Sequence, residues 1–350
     1  MNVPTWLWLA SVALLVGLLT VDVFIIGRRP HEPTLRECAI AIAFFVGLAI
    51  VFGLGVLMFA GGQYAGEFYA GWLTEYSLSI DNLFVFVIIM AKFGVPRQFQ
   101  QTALLVGIIL ALVMRGIFIA LGAAAIQNFS WVFYIFGAFL IYTAYKLARQ
   151  GELGEEDYEE NRLLKFVENR FPATQEWHGV KLFATVNGKR LITPMLIVIL
   201  ALGTTDLLFA LDSIPAIYGL TKEPYLVFTA NVFALMGLRQ LYFLIGGLLQ
   251  RLVYLSLGLS VVLGFIGVKL VMEALHENEL PFINGGEHID AVPQIPIWVS
   301  LGIILSTLAI TTIASLAKVR RDPGSVKHVP GPRPVDTSAD EPSDQGRSDG

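Results

Sequence analysis

The sequence predicts an all-α fold, a polytopic membrane helix bundle of about nine transmembrane helices. Hydrophobic residues make up 55% of the 350 and charged residues only 15%. Mean hydropathy is +0.66, outside the range of soluble domains. Apolar stretches of about 20 residues, the length a helix needs to cross the hydrocarbon core, recur along the whole chain. The formal net charge of -4, without a Lys/Arg cluster on a polar module, gives nucleic-acid binding no electrostatic basis. The single cysteine, Cys38, cannot form an internal disulfide. It opens an apolar run, where a small buried side chain is the expected role.

The nine stretches lie at 6–26, 38–60, 72–92, 101–124, 130–148, 193–217, 225–248, 253–274 and 295–316. The first lacks a basic leader and exceeds the apolar core of a signal peptide, so it is expected to be retained as a span. An odd number of spans places the termini on opposite sides. Connections rich in Lys and Arg belong on the cytoplasmic side, and they alternate: Arg28, Arg29 and Arg36; Lys92 and Arg97; Lys146 to Arg190; Arg251; and the tail from Lys318. The segments between them (the N-terminus, 61–71, 126–129, the turn with Lys222 and Glu223, and the acidic 275–294) carry few positive charges. The expected location is the plasma membrane, multi-pass, with the N-terminus outside and the C-terminus cytoplasmic.

The chain thus divides into two N-terminal spans (1–60), a three-span block (61–149), a cytoplasmic loop (150–192), a second three-span block (193–274), an outer loop with the last span (275–322) and a tail (323–350). The loop opens on an acidic run (Glu155, Glu156, Asp157, Glu159, Glu160), continues with a short helix near 161–169 and closes with a hairpin, because Asn187-Gly188 separates two β-prone runs. The tail is rich in Pro, Ser, Gly and Asp and is expected to be disordered.

The two three-span blocks share polar landmarks. Glu75, Asp81 and Asn82 answer Asp206, Asp212 and Ser213, with acids six apart in each. The next span of each block carries an arginine, Arg115 or Arg239, followed seven residues on by Gly122 or Gly246, and the third span carries Lys146 or Lys269. Three helices end on the side opposite their start, so consecutive copies are expected to form an inverted repeat, the architecture of many secondary transporters.

A charge at mid-membrane costs about 2.5–3.5 kcal/mol on insertion scales, which makes each of these residues a functional candidate. Four acids face two charge-pairing arginines, Arg115 and Arg239, and the deficit of two positive charges is what a divalent cation or protons neutralise. A spacing of six turns a helix through about 240°, whereas seven nearly closes two turns. Glu75, Ser79 and Asn82 therefore share one stripe and Ser77 with Asp81 another; Asp206 aligns with Ser213, and Thr205 with Asp212. One stripe from each helix can converge on an ion while the other meets an arginine. Carboxylate, amide and hydroxyl oxygens suit hard ions such as Mn²⁺, Mg²⁺ or Ca²⁺. The candidate metal-handling residues are Glu75, Asp81, Asn82, Asp206, Asp212 and Ser213. Pro215 removes a backbone donor beside Asp212 and suggests either a broken helix at the site or a packing kink. Asp22 is a weaker candidate, and the loop with His276, Glu277, Glu279, Glu287, His288 and Asp290 is read as a solvated acidic loop because its spacing fits no tight ligand set.

At these motifs the chain resembles the TerC/Alx family of integral membrane proteins, within the LysE-type transporter superfamily. The likeness rests on EYSLSIDNLF (75–84), TPML (193–196), TDLLFALDSIPA (205–216) and, in the loop, LKF (164–166) and FPAT (171–174). The resemblance implies a bacterial-type plasma-membrane location, export of manganese as the transported ion, and an association with tellurite resistance; the tail matches nothing in the family. Three functions follow as expectations. The first is a secondary Mn²⁺ exporter without a prosthetic group, since no Walker A sequence exists to make it an ATPase. The second is a membrane assembly or metal-delivery factor with protein partners in the membrane or secretion machinery. The third, an intramembrane enzyme, ranks last because neither H-E-x-x-H nor G-x-S-x-G is present, so no enzymatic activity is expected.

Overall fold

The structure is a computed structural model and describes residues 3–28, 34–129, 131–150, 174, 176–186, 189–245, 252–276, 278, 280, 283–287, 289 and 291–322. In chain order the helices are α1 (Thr5–Arg28), α2 (Leu35–Ala60), α3 (Gly62–Lys92), α4 (Arg97–Asn128), α5 (Val132–Gln150), α6 (Pro194–Tyr218), α7 (Pro224–Leu235), α8 (Leu238–Ile245), α9 (Leu255–His276) and α10 (Ile297–Arg321). The chain is a polytopic helix bundle, as its composition requires. Seven spans, with α7 and α8 joined as one, are long and apolar enough to cross a membrane; α1 adds a shorter apolar stretch, Thr5–Leu14, among the described residues. The helical segments coincide with the nine expected stretches.

Local chemistry sets the helix starts. Thr34 and Glu37 form a reciprocal capping box at the head of α2, with Thr34 N donating to Glu37 Oε2 at 2.8 Å and Glu37 N to Thr34 Oγ1 at 3.2 Å, which satisfies two otherwise orphaned donors. α6 opens on Pro194 after the cap Thr193, a position where the missing N–H costs nothing. Thr193 also donates through Oγ1 to Lys181 O at 2.6 Å, tying α6 to the hairpin. That hairpin is β1 (Phe183–Val186) antiparallel to β2 (Lys189–Ile192), with Val186 opposite Lys189, the register a two-residue connection demands. Residues 187–188 themselves lie outside the described residues, as do the acidic run, the segment 161–169 and the tail 323–350.

α3 and the α7–α8 span are the most buried, while α2 and α10 are peripheral. α3 packs on α7 and α4 packs on α6; α3 also meets α6, and α5 lies tightly along α9. Small residues allow these approaches. A Cβ on Gly137 would stand 2.9 Å from Gly267 O and 2.7 Å from Val271 Cγ2, and Gly71 faces Ala230.

Two boundaries differ from expectation. Residues 62–71, expected as a connection, form the first turns of α3: Gly62 and Gly66 let α3 close on Trp298 and Ile297, so packing compensates a stretch whose Gln63 and Glu67 depress its hydropathy. The helix break falls in span seven, between α7 and α8, and not at Pro215. α6 runs unbroken through Pro215. At the break Met236 has extended ψ and Gly237 has φ +82°, with Phe45 Cδ2 3.1 Å from where its Cβ would lie.

Candidate functional site

At mid-bundle three helices bring together the polar groups that apolar surroundings should exclude. Glu75 lies 13 residues into α3, Arg115 lies 18 into α4, and Asp206 lies 12 into α6, each about 18–27 Å along its helix at 1.5 Å per residue. All are buried: Arg115 and Glu75 are 0% exposed, Asp206 and Ser213 1%. The guanidinium grips Asp206 with both teeth of its fork, Nε to Oδ2 at 2.8 Å and Nη2 to Oδ1 at 2.9 Å, a planar match that lysine cannot make. Its remaining nitrogen, Nη1, meets Glu75 Oε1 and donates to Ser213 Oγ at 3.4 Å. The seven-residue stripe of Asp206 and Ser213 thus lands on one arginine.

With both acids ionised, two carboxylates surround one guanidinium and leave a formal excess of one negative charge. Removing such a charge from water costs several kcal/mol unless it is matched. Oxygen capacity remains beside it: Glu75 Oε2 and the buried Ser79 Oγ and Thr74 Oγ1 have no hydrogen-bond partner among the described residues. Ser79 is one turn from Glu75 on the same face, and Asn82, 5% exposed, follows on that stripe. The centre therefore holds buried oxygen acceptors that no hydrogen bond among the described residues occupies.

Glu75, Asp206 and Ser213 gather on Arg115, whereas Asp212 points to another helix and accepts from Thr143 Oγ1 of α5 at 3.1 Å. Among the described residues no three His, Cys, Asp or Glu side chains are grouped to hold a metal ion. The side chains of Asp81 and Asp22 lie outside the described residues, as do His288 and Asp290. Arg239, half-buried in α8, stands two residues past the break.

One residue escaped the sequence reading. Glu67, 8% exposed, accepts from Thr221 Oγ1 at 2.6 Å and from Gln63 Nε2 at 3.2 Å. The signal that could have found it is Gly62, Gly66 and Ala70, small residues four apart, which mark a closely packed helix face and carry the helix past Glu67.

Comparison with known proteins places the chain in a known lineage. The profile of the family described as "Integral membrane protein TerC family" matches residues 60–323. The chain belongs to the TerC family. It is 50% identical over 316 residues to the "Uncharacterized membrane protein Rv2723" of Mycobacterium tuberculosis (strain ATCC 25618 / H37Rv), covering 89% of this chain and 79% of that protein. It is 36% identical over 292 residues to the "Thylakoid membrane protein TERC, chloroplastic" of Arabidopsis thaliana, covering 83% and 72%. To the "Putative membrane-bound redox modulator Alx" of Escherichia coli (strain K12) it is 33% identical over 316 residues, covering 88% and 93%. No solved structure matches the chain. Membership identifies both acidic motifs as parts of a TerC-family membrane protein.

Proposed function

We propose that this chain is a secondary transporter that exports a hard divalent cation, Mn²⁺ by family resemblance, from the cytoplasm across the plasma membrane. The observation that carries the reading is the Glu75–Arg115–Asp206 centre, with two buried carboxylates on one guanidinium. In this arrangement Arg115 acts as a tethered cation. An arriving ion takes the carboxylates from it, and its departure returns them, so the centre never presents two unmatched charges to the apolar interior. Asn82, on the same stripe of α3 as Glu75 and 5% exposed, offers a further oxygen along that helix.

Two further features support the reading. The packing is reciprocal between the blocks: first helix on second (α3 on α7), second on first (α4 on α6), and third on third (α5 on α9). A two-fold axis relating inverted repeats in the membrane plane would produce these pairings. The interruption of span seven at Gly237 supplies a discontinuous helix within the bundle, which frees carbonyls of the α7 end where they line protein and not lipid.

Uptake of Mn²⁺ into inside-out vesicles containing the purified chain, with and without a pH gradient, tests the proposal. Wild-type flux should fall to background in Asp206→Asn and Glu75→Gln while both variants still insert and elute as the wild type does. Absence of flux in the wild type, or equal flux in both variants, would overturn it. The assembly-factor reading would then stand in its place; it draws support from Val180, Leu182 and Phe183, exposed apolar residues beside the hairpin that a protein partner could cover.

A further inference from the structure

The β1–β2 hairpin is bonded to the head of a membrane-crossing helix. Thr193, the cap of α6, donates through N to Leu182 O at 3.1 Å and through Oγ1 to Lys181 O at 2.6 Å. Ile192 ends β2, and α6 begins at Pro194. The 25 residues of α6 span about 37 Å at 1.5 Å per residue, against about 30 Å of hydrocarbon and about 40–45 Å with the headgroups included. Its ends therefore lie in the headgroup layers, and the base of the hairpin lies in one of them. Ile192 is buried in the bundle core, but its cross-strand partner Phe183 is 44% exposed, and Leu182, which points the other way, is 38% exposed. Lys181 and Arg190 are exposed beside them, with the Arg190 guanidinium 4.4 Å over the Phe183 ring. Among the described residues of 174–192 one acid, Glu176, stands against Lys181, Lys189 and Arg190. Trp177, just before the hairpin, stacks on Phe99 of α4 with ring centroids 6.1 Å apart, at the depth where membrane proteins collect tryptophan.

We propose that the hairpin is a foot seated in the adjoining leaflet, with Arg190 and Lys181 on the phosphates of anionic phospholipids and Leu182 and Phe183 at the acyl boundary. Burial of apolar side chains together with attraction of cations to anionic headgroups is what holds an amphipathic element in that layer. Arg190 suits the task, because it covers the Phe183 ring and its planar fork matches a phosphate. Lys181 has a long apolar stem that lets its ammonium reach the headgroups. Two strands alone are at best marginally stable in water, and apolar side chains exposed on both faces of the hairpin base add to the cost of leaving it there. The placement favours lipid over a protein partner: the leaflet already stands at this depth, and its phosphates complement a segment with one acid against three bases. Because Thr193 joins hairpin and helix, the seated foot fixes the head of α6, the helix of Asp206, at headgroup depth.

Lipid contact is read directly, without transport, from a bimane label on Thr185→Cys in the full-length chain with Cys38→Ser; Thr185 is exposed and lies opposite Arg190 in the hairpin. The labelled chain is placed in phosphatidylcholine nanodiscs doped with either phosphatidylglycerol or phosphatidylcholine bearing a nitroxide near the glycerol, and quenching by the two lipids is compared. Both should quench, and phosphatidylglycerol should quench at lower doping. That preference should fall about five-fold in each of Lys181→Gln and Arg190→Gln and shrink with added salt. Leu182→Ser combined with Phe183→Ser should weaken quenching by both lipids alike. Should the serine variant fail to insert, the two charge variants, which alter only exposed side chains, decide alone. Equal quenching by the two lipids, or a preference that survives both charge substitutions, overturns the proposal. Quenching by neither lipid also overturns it, and assigns Leu182 and Phe183 to water or to protein, whether the segment 151–173 of this chain or a partner.

Discussion

Replacing Arg115 by methionine removes the guanidinium and keeps an unbranched apolar stem. Asp206 then loses two charge-assisted hydrogen bonds, at 2.8 and 2.9 Å, and Glu75 loses its ion-pair partner, with all three residues at no more than 1% exposure. Each hydrogen bond to a charged group contributes about 1.5–3 kcal/mol, and stripping one partner from a buried pair costs about 3–5 kcal/mol in all, because the charge left behind stays buried. Equilibrium unfolding of the chain in bicelles by steric trapping, with the trapping tags placed on α9, should show a loss of that size for Arg115→Met. The triple variant Arg115→Met, Glu75→Gln, Asp206→Asn carries no charge at the centre and should recover most of the loss while remaining inactive. Arg115→Lys should fall between, since it restores charge without the fork. A cost below about 1 kcal/mol for Arg115→Met, or a triple variant no more stable than the single one, would refute the argument that charge matching holds the centre together.

Two other perturbations test the scaffold around that centre. At the α5–α9 crossing, Gly137→Ala forces a methyl to 2.9 Å from Gly267 O and 2.7 Å from Val271 Cγ2, so the same unfolding assay should register about 1–3 kcal/mol of overpacking; a change within about 0.3 kcal/mol would show that the helices slide apart freely. Gly237→Ala places a side chain at φ +82° and within 3.1 Å of Phe45, a conformation costing about 1–2 kcal/mol for an L residue. It should lower the melting temperature and slow Mn²⁺ uptake, whereas unaltered stability together with unaltered flux would mean that the break does not depend on glycine.

The spans were legible because lipid-crossing helices obey one rule, a long apolar run, and among the described residues each stretch found by that rule holds a helix, seven of the spans being long and apolar enough to cross. Polar exceptions were harder to read. The start of α3 hid behind Gln63 and Glu67, whose cost is met by their mutual hydrogen bond and by Thr221, and by the packing of Gly62 and Gly66 on α10, none of which hydropathy sees. Pro215 advertised a break that did not occur, because a helix carried by packing on α4 survives the loss of one donor. The real break sits in Met236-Gly237-Leu238, where a single glycine gave no stronger signal than the other glycines of the chain. At the site, the spacing of seven on α6 brings Asp206 and Ser213 to one guanidinium, whereas the charge count only set Arg115 and Arg239 against four acids. It could not tell that one arginine takes an acid from each block, since that depends on how α3, α4 and α6 cross.

That sharing carries the argument about mechanism one step further. If each arginine served its own block, the two motifs would be independent ion pairs, and exchanging one for an ion would leave the other unaffected. Arg115 instead bridges Glu75 of the first block and Asp206 of the second, so an ion that displaces it loosens α3 and α6 from α4 together. Arg239, the arginine that follows the second motif, stands in the broken span just past Gly237, while Arg115 sits in the unbroken α4. The two arginines therefore sit on unlike helices, one continuous and one interrupted. In the transport reading this inequality is what alternating access requires: one block's arginine closes the centre while the other's helix remains bent, and the exchange of those roles opens the opposite side. Trapping the exchange is feasible. An arginine-to-lysine change at position 115 or 239 should bias uptake and efflux in opposite directions in vesicles of defined orientation, and identical effects of the two changes on both fluxes would remove the exchange while leaving the Arg115 centre intact.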